Sequence, residues 1–148
     1  MKKILKLLPM LLIAVLGISL ASCSDKDEPV SPTELPSVAK DFIITNFPSA
    51  SITSVQKDKD EYEVKLSDGT SIDFDKKGDW IDVDAPDGKA LPTGFYPVAI
   101  DSYLAENFDN EGINEISKVK RGYEVEIISG TEMIFDSEGN FIEIGVDR

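Results

Sequence analysis

Side chains able to do chemistry are unevenly supplied in this chain. Asp and Glu total 28 against 15 Lys and Arg, there is one cysteine, Cys23, and there is no histidine. Without histidine, and with a single thiol, Ser-His and Cys-His nucleophilic pairs and zinc sites of the usual Cys and His type are absent. What remains is carboxylate chemistry: two acids acting as general acid and base, or oxygen ligands for a hard cation. The stretch Asp73-Phe74-Asp75-Lys76-Lys77-Gly78 has the outline of a calcium loop, with acids at the first and third places and glycine at the sixth. Lys77 stands where the fifth-place oxygen belongs, however, and Asp84 where a bidentate Glu would. The equivalent stretch further on has Ile134 in place of Asp73, and Asp82, Asp84 and Asp87 before Gly88 have no helix beside them. A hairpin turn with incidental acids accounts for these patterns, so neither a metal nor a cofactor is expected. Acids this numerous also pair by chance on a solvated face, and no catalytic role is expected.

The chain opens MKKILKLLPMLLIAVLGISLASC. Lys2, Lys3 and Lys6 precede an apolar run from Leu7 to Leu20 that is too short and too one-sided to span a bilayer, which reads as a secretory signal peptide over 1–22. Leu20-Ala21-Ser22-Cys23 resembles the bacterial lipobox, so Cys23 is the expected lipid attachment site. An exported free thiol needs a reason, and acylation supplies one, each buried methylene adding about 0.8 kcal/mol of membrane affinity. Ser24-Asp25-Lys26-Asp27-Glu28, with Pro29, Ser31 and Pro32 after it, is polar and charged, so 23–34 is expected to be a solvated tether. Acids directly behind the cysteine resemble the signal that sends Bacteroidetes lipoproteins to the outer membrane and on to the cell surface. Loss of the signal removes three lysines from a net charge of −13. Nucleic acid is a poor partner for such a chain, and the membrane is reached through the lipid.

These acids must be positioned by elements, and the elements are written twice. Tyr62 to Thr70 reads YEVKLSDGT and Tyr123 to Thr131 reads YEVEIISGT; a shift of sixty-one positions also superposes Pro36 on Pro97, Asn46 on Asn107, Phe74 on Phe135 and Gly78 on Gly139. Each copy starts with a helix, its proline suiting the first turn, with Ala39, Phe42, Ile43, Asn46 and Phe47 on one face and Ile100, Tyr103, Leu104, Asn107 and Phe108 on the other copy's face. Four runs of period two follow in the first copy: Ile52 to Lys57, Glu61 to Leu66, Thr70 to Asp75 and Trp80 to Asp84. The expected fold is α+β: two repeats, 35–84 and 96–148, each one helix packed on a four-stranded antiparallel sheet, joined by a linker over 85–95. Units of about fifty residues have marginal cores, which favours a shared interface or a continuous sheet. Tyr62, Val64 and Leu66 share a face with Ile72 and Phe74 only if Ser67-Asp68-Gly69 is a three-residue loop with the glycine at positive φ, and Gly130 has the same part.

A helix covers one face of each sheet and leaves the other open for function. With Tyr62, Val64, Leu66, Ile72, Phe74, Ile81 and Val83 turned toward the helix, strict alternation sends Glu63, Lys65, Asp73, Trp80 and Asp82 to the open side. In the second copy it sends Glu124, Glu126, Ile134, Phe141 and Glu143 there. Trp80, Ile134 and Phe141 are then apolar groups on a charged face, a composition common to partner-binding surfaces. The alternatives are that they pack on the linker, or that a hairpin loop one residue shorter turns Trp80 inward.

The order of helix, Asn-Phe, Tyr-Glu-Val, Gly-Thr turn, Phe-Asp and Gly resembles the PepSY-like, β-lactamase-inhibitor-like proteins of Bacteroidetes, from Pro36 to Arg148. The resemblance implies tandem helix-plus-four-strand units whose open faces bind another protein. The inhibitors behind the family's label carry disulfides and this chain cannot, so inhibition of a β-lactamase is not carried over. PepSY-type modules are also associated with restraint of secreted proteases. The expected function is a non-catalytic binding or inhibitory module for an exported protein, such as a hydrolase or protease. A surface protein that binds peptide or glycan is the alternative, ahead of a carboxylate-dependent hydrolase or a weak calcium binder.

Overall fold

The computed structural model describes residues 28–145. The signal peptide, Cys23 and the first part of the tether lie outside the described residues. From Glu28 onward the expected tether is already attached to the fold. Glu28–Pro29 form β1 on the edge of β2, and a short 3-10 turn over Pro32–Glu34 is closed by a capping box between Ser31 and Glu34.

Two ten-residue helices follow Pro36 and Pro97: α1, Ser37–Asn46, and α2, Val98–Asn107. Their buried stripes are those that helical spacing predicts. Ala39, Ile43 and Phe47 are buried in the first, Ile100 and Leu104 in the second, with Phe42, Tyr103 and Phe108 half-covered beside them. Both helices end in the same way. The Asn46 amide donates to the Phe42 carbonyl and the Asn107 amide to the Tyr103 carbonyl, each side chain folding back on the last turn of its own helix.

The strands are β2 (Ile52–Asp58), β3 (Glu61–Leu66), β4 (Ser71–Asp75), β5 (Trp80–Asp84), β6 (Ile113–Val119), β7 (Gly122–Ile127), β8 (Glu132–Phe135) and β9 (Phe141–Ile144). With β1 they form one antiparallel sheet in sequential order. The expected pair of four-stranded sheets is thus, among the described residues, a single nine-stranded one, and of the two alternatives, a shared interface or a continuous sheet, the second is observed: β5 pairs with β6, Val83 opposite Ile116, and the sheet runs on without a break. A row of Val64, Ile72, Val83, Ile116, Val125 and Met133 crosses that junction with no exposed surface, giving the molecule one core where two small ones would each be marginal.

Asn114 fixes how the stretch between the halves lies on the sheet. β6 bulges between Ile113 and Glu115, and the freed Asn114 side chain turns in to donate to the carbonyls of Ala85 (3.2 Å), Pro86 (3.0 Å) and Lys89 (2.9 Å). The expected linker is therefore fastened down, with Ala85 and Leu91 buried in the core. The three-residue loops are present as expected. Gly69 N–H donates to Leu66 O and Gly130 N–H to Ile127 O, with φ of +92° and +88°.

Candidate functional site

The hairpins that follow those loops decide which side chains reach the open face. Asp75 N–H donates to Asp79 O and Gly78 N–H to Asp75 O, so Lys76-Lys77-Gly78 is again a three-residue loop and Trp80 lies opposite Phe74, on the helix side. The register then shifts between Phe74 and Asp73, a β-bulge in β5 that returns Asp82 to the open face and Val83 to the core. Trp80 and Val83, three residues apart, both point inward, which strict alternation forbids. The second copy repeats this: Phe141 lies opposite Phe135, and the same shift in β9 then sets Glu143 opposite Ile134.

The expected placement of Trp80 and Phe141 on the open face is thereby overturned. Trp80 is 7% exposed and stacked between Phe42 of α1 and Tyr123 of β7, with Phe95 at its edge and the Lys118 ammonium 4.2 Å from its ring centre. Phe141 stacks on Tyr103 of α2 at 4.5 Å and 6°. Both rings hold the helices to the sheet. Ile134 does reach the open side, half-buried between Glu124 on β7 and Glu143 on β9.

What fills the open face is charge, in two rows across the strands. One runs Glu63, Asp73, Asp82, Ser117, Glu124, Ile134, Glu143; the next runs Lys65, Ser71, Asp84, Glu115, Glu126, Glu132. Lys65 is the single basic residue in these rows, and it pairs with Glu63 at 3.3 Å. Neighbouring carboxylates held on adjacent strands raise one another's proton affinity. Burial pushes Asp73 up to about 6, with Asp82, Glu63 and Glu61 adding repulsion and Lys65 opposing them. Burial also raises Asp82, opposed by the Ser117 hydroxyl, which donates to its carboxylate. Arg121, beyond the rows, reaches over to pair with Glu143.

The third-place acid of the calcium-like stretch, Asp75, and its counterpart Asp136 serve the turns. Asp75 Oδ1 accepts from the amides of Lys77 (2.8 Å) and Asp79 (3.0 Å), and Asp136 Oδ1 from those of Glu138 and Asn140 (both 2.9 Å). The Asn140 side chain and then its backbone amide lower the Asp136 pKa. Among the described residues no three acids converge as a metal cage would require. A groove of about 500 Å³ opens between the end of α1, the Asp68–Thr70 turn and Pro86–Pro92, with Phe47, Pro48 and Leu91 among its walls.

Comparison with known proteins places this arrangement. A family profile described as "Putative beta-lactamase-inhibitor-like, PepSY-like" matches residues 22–72 and 60–143. The chain is 31% identical to a "putative calcium-regulated periplasmic protein" from Bacteroides thetaiotaomicron, with 81% of this chain and 97% of that one covered at a TM-score of 0.74. A periplasmic protein structure from Bacteroides vulgatus is 33% identical, with 83% and 99% covered and a TM-score of 0.75. A second from that organism is 29% identical, with 82% and 100% covered and a TM-score of 0.76. No curated protein matches. With profile and full-length structural relatives in agreement, the chain belongs to the PepSY-like, β-lactamase-inhibitor-like family.

Proposed function

We propose that this chain is an exported, lipid-anchored binding module without catalysis of its own, and that its open sheet face takes up a positively charged surface of another exported protein. The family suggests a non-catalytic binder. The observation that carries the finer reading is the pair of carboxylate rows, in which Lys65 alone is basic. A field of one sign selects partners of the other sign, speeds their encounter and repels the acidic majority. Ile134, flanked by Glu124 and Glu143, supplies an apolar contact inside that field. The tandem origin read from the repeated sequence is supported by the order of elements, α1 before β2–β5 and α2 before β6–β9, and two such units joined at β5 and β6 would give a face twice as wide as one.

Export and anchoring rest on the N-terminal pattern and on the periplasmic description of the relatives. Among the described residues no helix is long and apolar enough to cross a membrane. The lipid on Cys23 is the proposed anchor. Fractionation of cells carrying Cys23→Ala tests it: the protein leaves the detergent-soluble envelope fraction if the reading holds, and continued partition with the envelope refutes it. Calcium is the second reading, favoured by the description of the Bacteroides thetaiotaomicron relative as calcium-regulated. The acid rows would then gather the ion diffusely. Calorimetry at millimolar calcium, with a chelated control, yields heat in that case, and no heat removes it.

A further inference from the structure

Among the described residues the sheet ends at β9, which has a neighbouring strand, β8, on one side only. Gly145 N–H donates inward to Glu132 O at 2.7 Å, so by antiparallel alternation the N–H and C=O of Ile144 point away from β8. Ile144 is 48% exposed, whereas Val83, at the same position of β5, is fully buried because β6 pairs with it. The strand that corresponds to β6 in the first half is β2, with Gln56 and Val55 matching Ser117 and Ile116. The outer edge of β2 is already covered, in that same register. Pro29 lies opposite Gln56, Val30 N–H donates to Val55 O at 3.0 Å, and the Val30 side chain packs on the core as Val83 does.

We propose that β9 of one copy adds to β2 of a second copy, Glu143 opposite Gln56 and Ile144 opposite Val55, and that Glu28–Val30 is a displaceable cap that holds this association in check. The pairing repeats the β5–β6 junction between molecules. Such a contact joins two different edges, so it continues from copy to copy and does not close at a dimer. The inference stands apart from the proposed role of the open face, because it concerns backbone pairing at the strand edges; of the row residues only Glu143, at the end of its row, takes part.

The test uses the chain without its signal peptide and with Cys23→Ser. Val30→Pro removes the amide that holds the cap; Val30→Gly, which removes only the packed side chain, serves if proline disturbs folding, as judged by circular dichroism. In sedimentation velocity the uncapped variant is expected to at least about double its weight-average mass across a hundredfold rise in concentration, and adding Ile144→Pro is expected to return it to monomer. Gln56→Cys with Glu143→Cys should then give intermolecular disulfides. A folded, uncapped variant that stays monomeric overturns the proposal. So does assembly that survives Ile144→Pro, or cross-linking of Glu143→Cys to itself in place of Gln56→Cys.

Discussion

Replacing Trp80 by Ala removes the ring that links α1, Phe95 and the second half of the sheet. Its centroid lies 6.3 Å from Phe42, 5.3 Å from Phe95 and 6.2 Å from Tyr123, and it is 7% exposed. An aromatic of this size buries roughly 200 Å², about 5 kcal/mol at about 25 cal/mol per Å² and somewhat less against a compact unfolded chain. Partial collapse of the cavity sets the expected loss at about 3–5 kcal/mol, a large fraction of the stability of a domain this size. Urea unfolding followed by far-ultraviolet circular dichroism measures it. Because Trp80 is the only tryptophan, the parent protein offers an independent check: its emission should be that of a buried indole and resist acrylamide quenching until the protein unfolds. A loss below about 1 kcal/mol, the range of surface substitutions, or the emission of a solvated indole, would refute the assignment of Trp80 to the core.

Gly130→Val should cost about 1–2 kcal/mol from positive-φ strain alone, since no atom stands within 4 Å of the added Cβ. Gly69→Val should cost more, because its Cβ would meet Pro86 Cγ at 2.7 Å; equal melting temperatures for the two variants would contradict this. The raised Asp73 pKa, about 6 folded against 3.8 unperturbed, means the native state binds the proton more tightly. Its contribution is therefore unfavourable above pH 6 and is relieved as pH falls toward 4, by about 1 kcal/mol once solvent screening is allowed for. Asp73→Asn should be the more stable protein at pH 7 and should lose that part of the pH dependence in thermal melts; an unchanged slope would show that the carboxyl is not perturbed.

Much of this fold is legible in the sequence because local rules and burial agree. The helix stripes around Ile43 and Leu104, and the glycine loops at Gly69 and Gly130, follow from spacing and backbone sterics alone. The error over Trp80 and Phe141 has a physical cause. Applied to Gly78 and Gly139, the three-residue loop rule already places these rings opposite Phe74 and Phe135. The inward Val83 can be reconciled with Trp80 only by a bulge, and a bulge has no sequence mark of its own here. Continuity of the sheet depends on the pairing of β5 with β6, a long-range choice, and on Asn114 holding the carbonyls of Ala85, Pro86 and Lys89. In the sequence Asn114 stands as any polar residue would, and its burial and its partners become apparent only once the strand is placed. The acid rows were visible residue by residue. Their alignment across seven strands is a property of register.

The most direct test of the account is capture of envelope proteins by the open face. The parent protein and a variant carrying Glu115→Gln, Glu124→Gln, Glu126→Gln and Glu132→Gln, matched for folding by circular dichroism, are presented to a solubilised envelope extract at low and at high salt. The account predicts that the parent retains a protein with a basic surface at low salt, and that both the variant and high salt release it. Equal retention by parent and variant, or retention indifferent to salt, would contradict the assignment of the binding site to the carboxylate face.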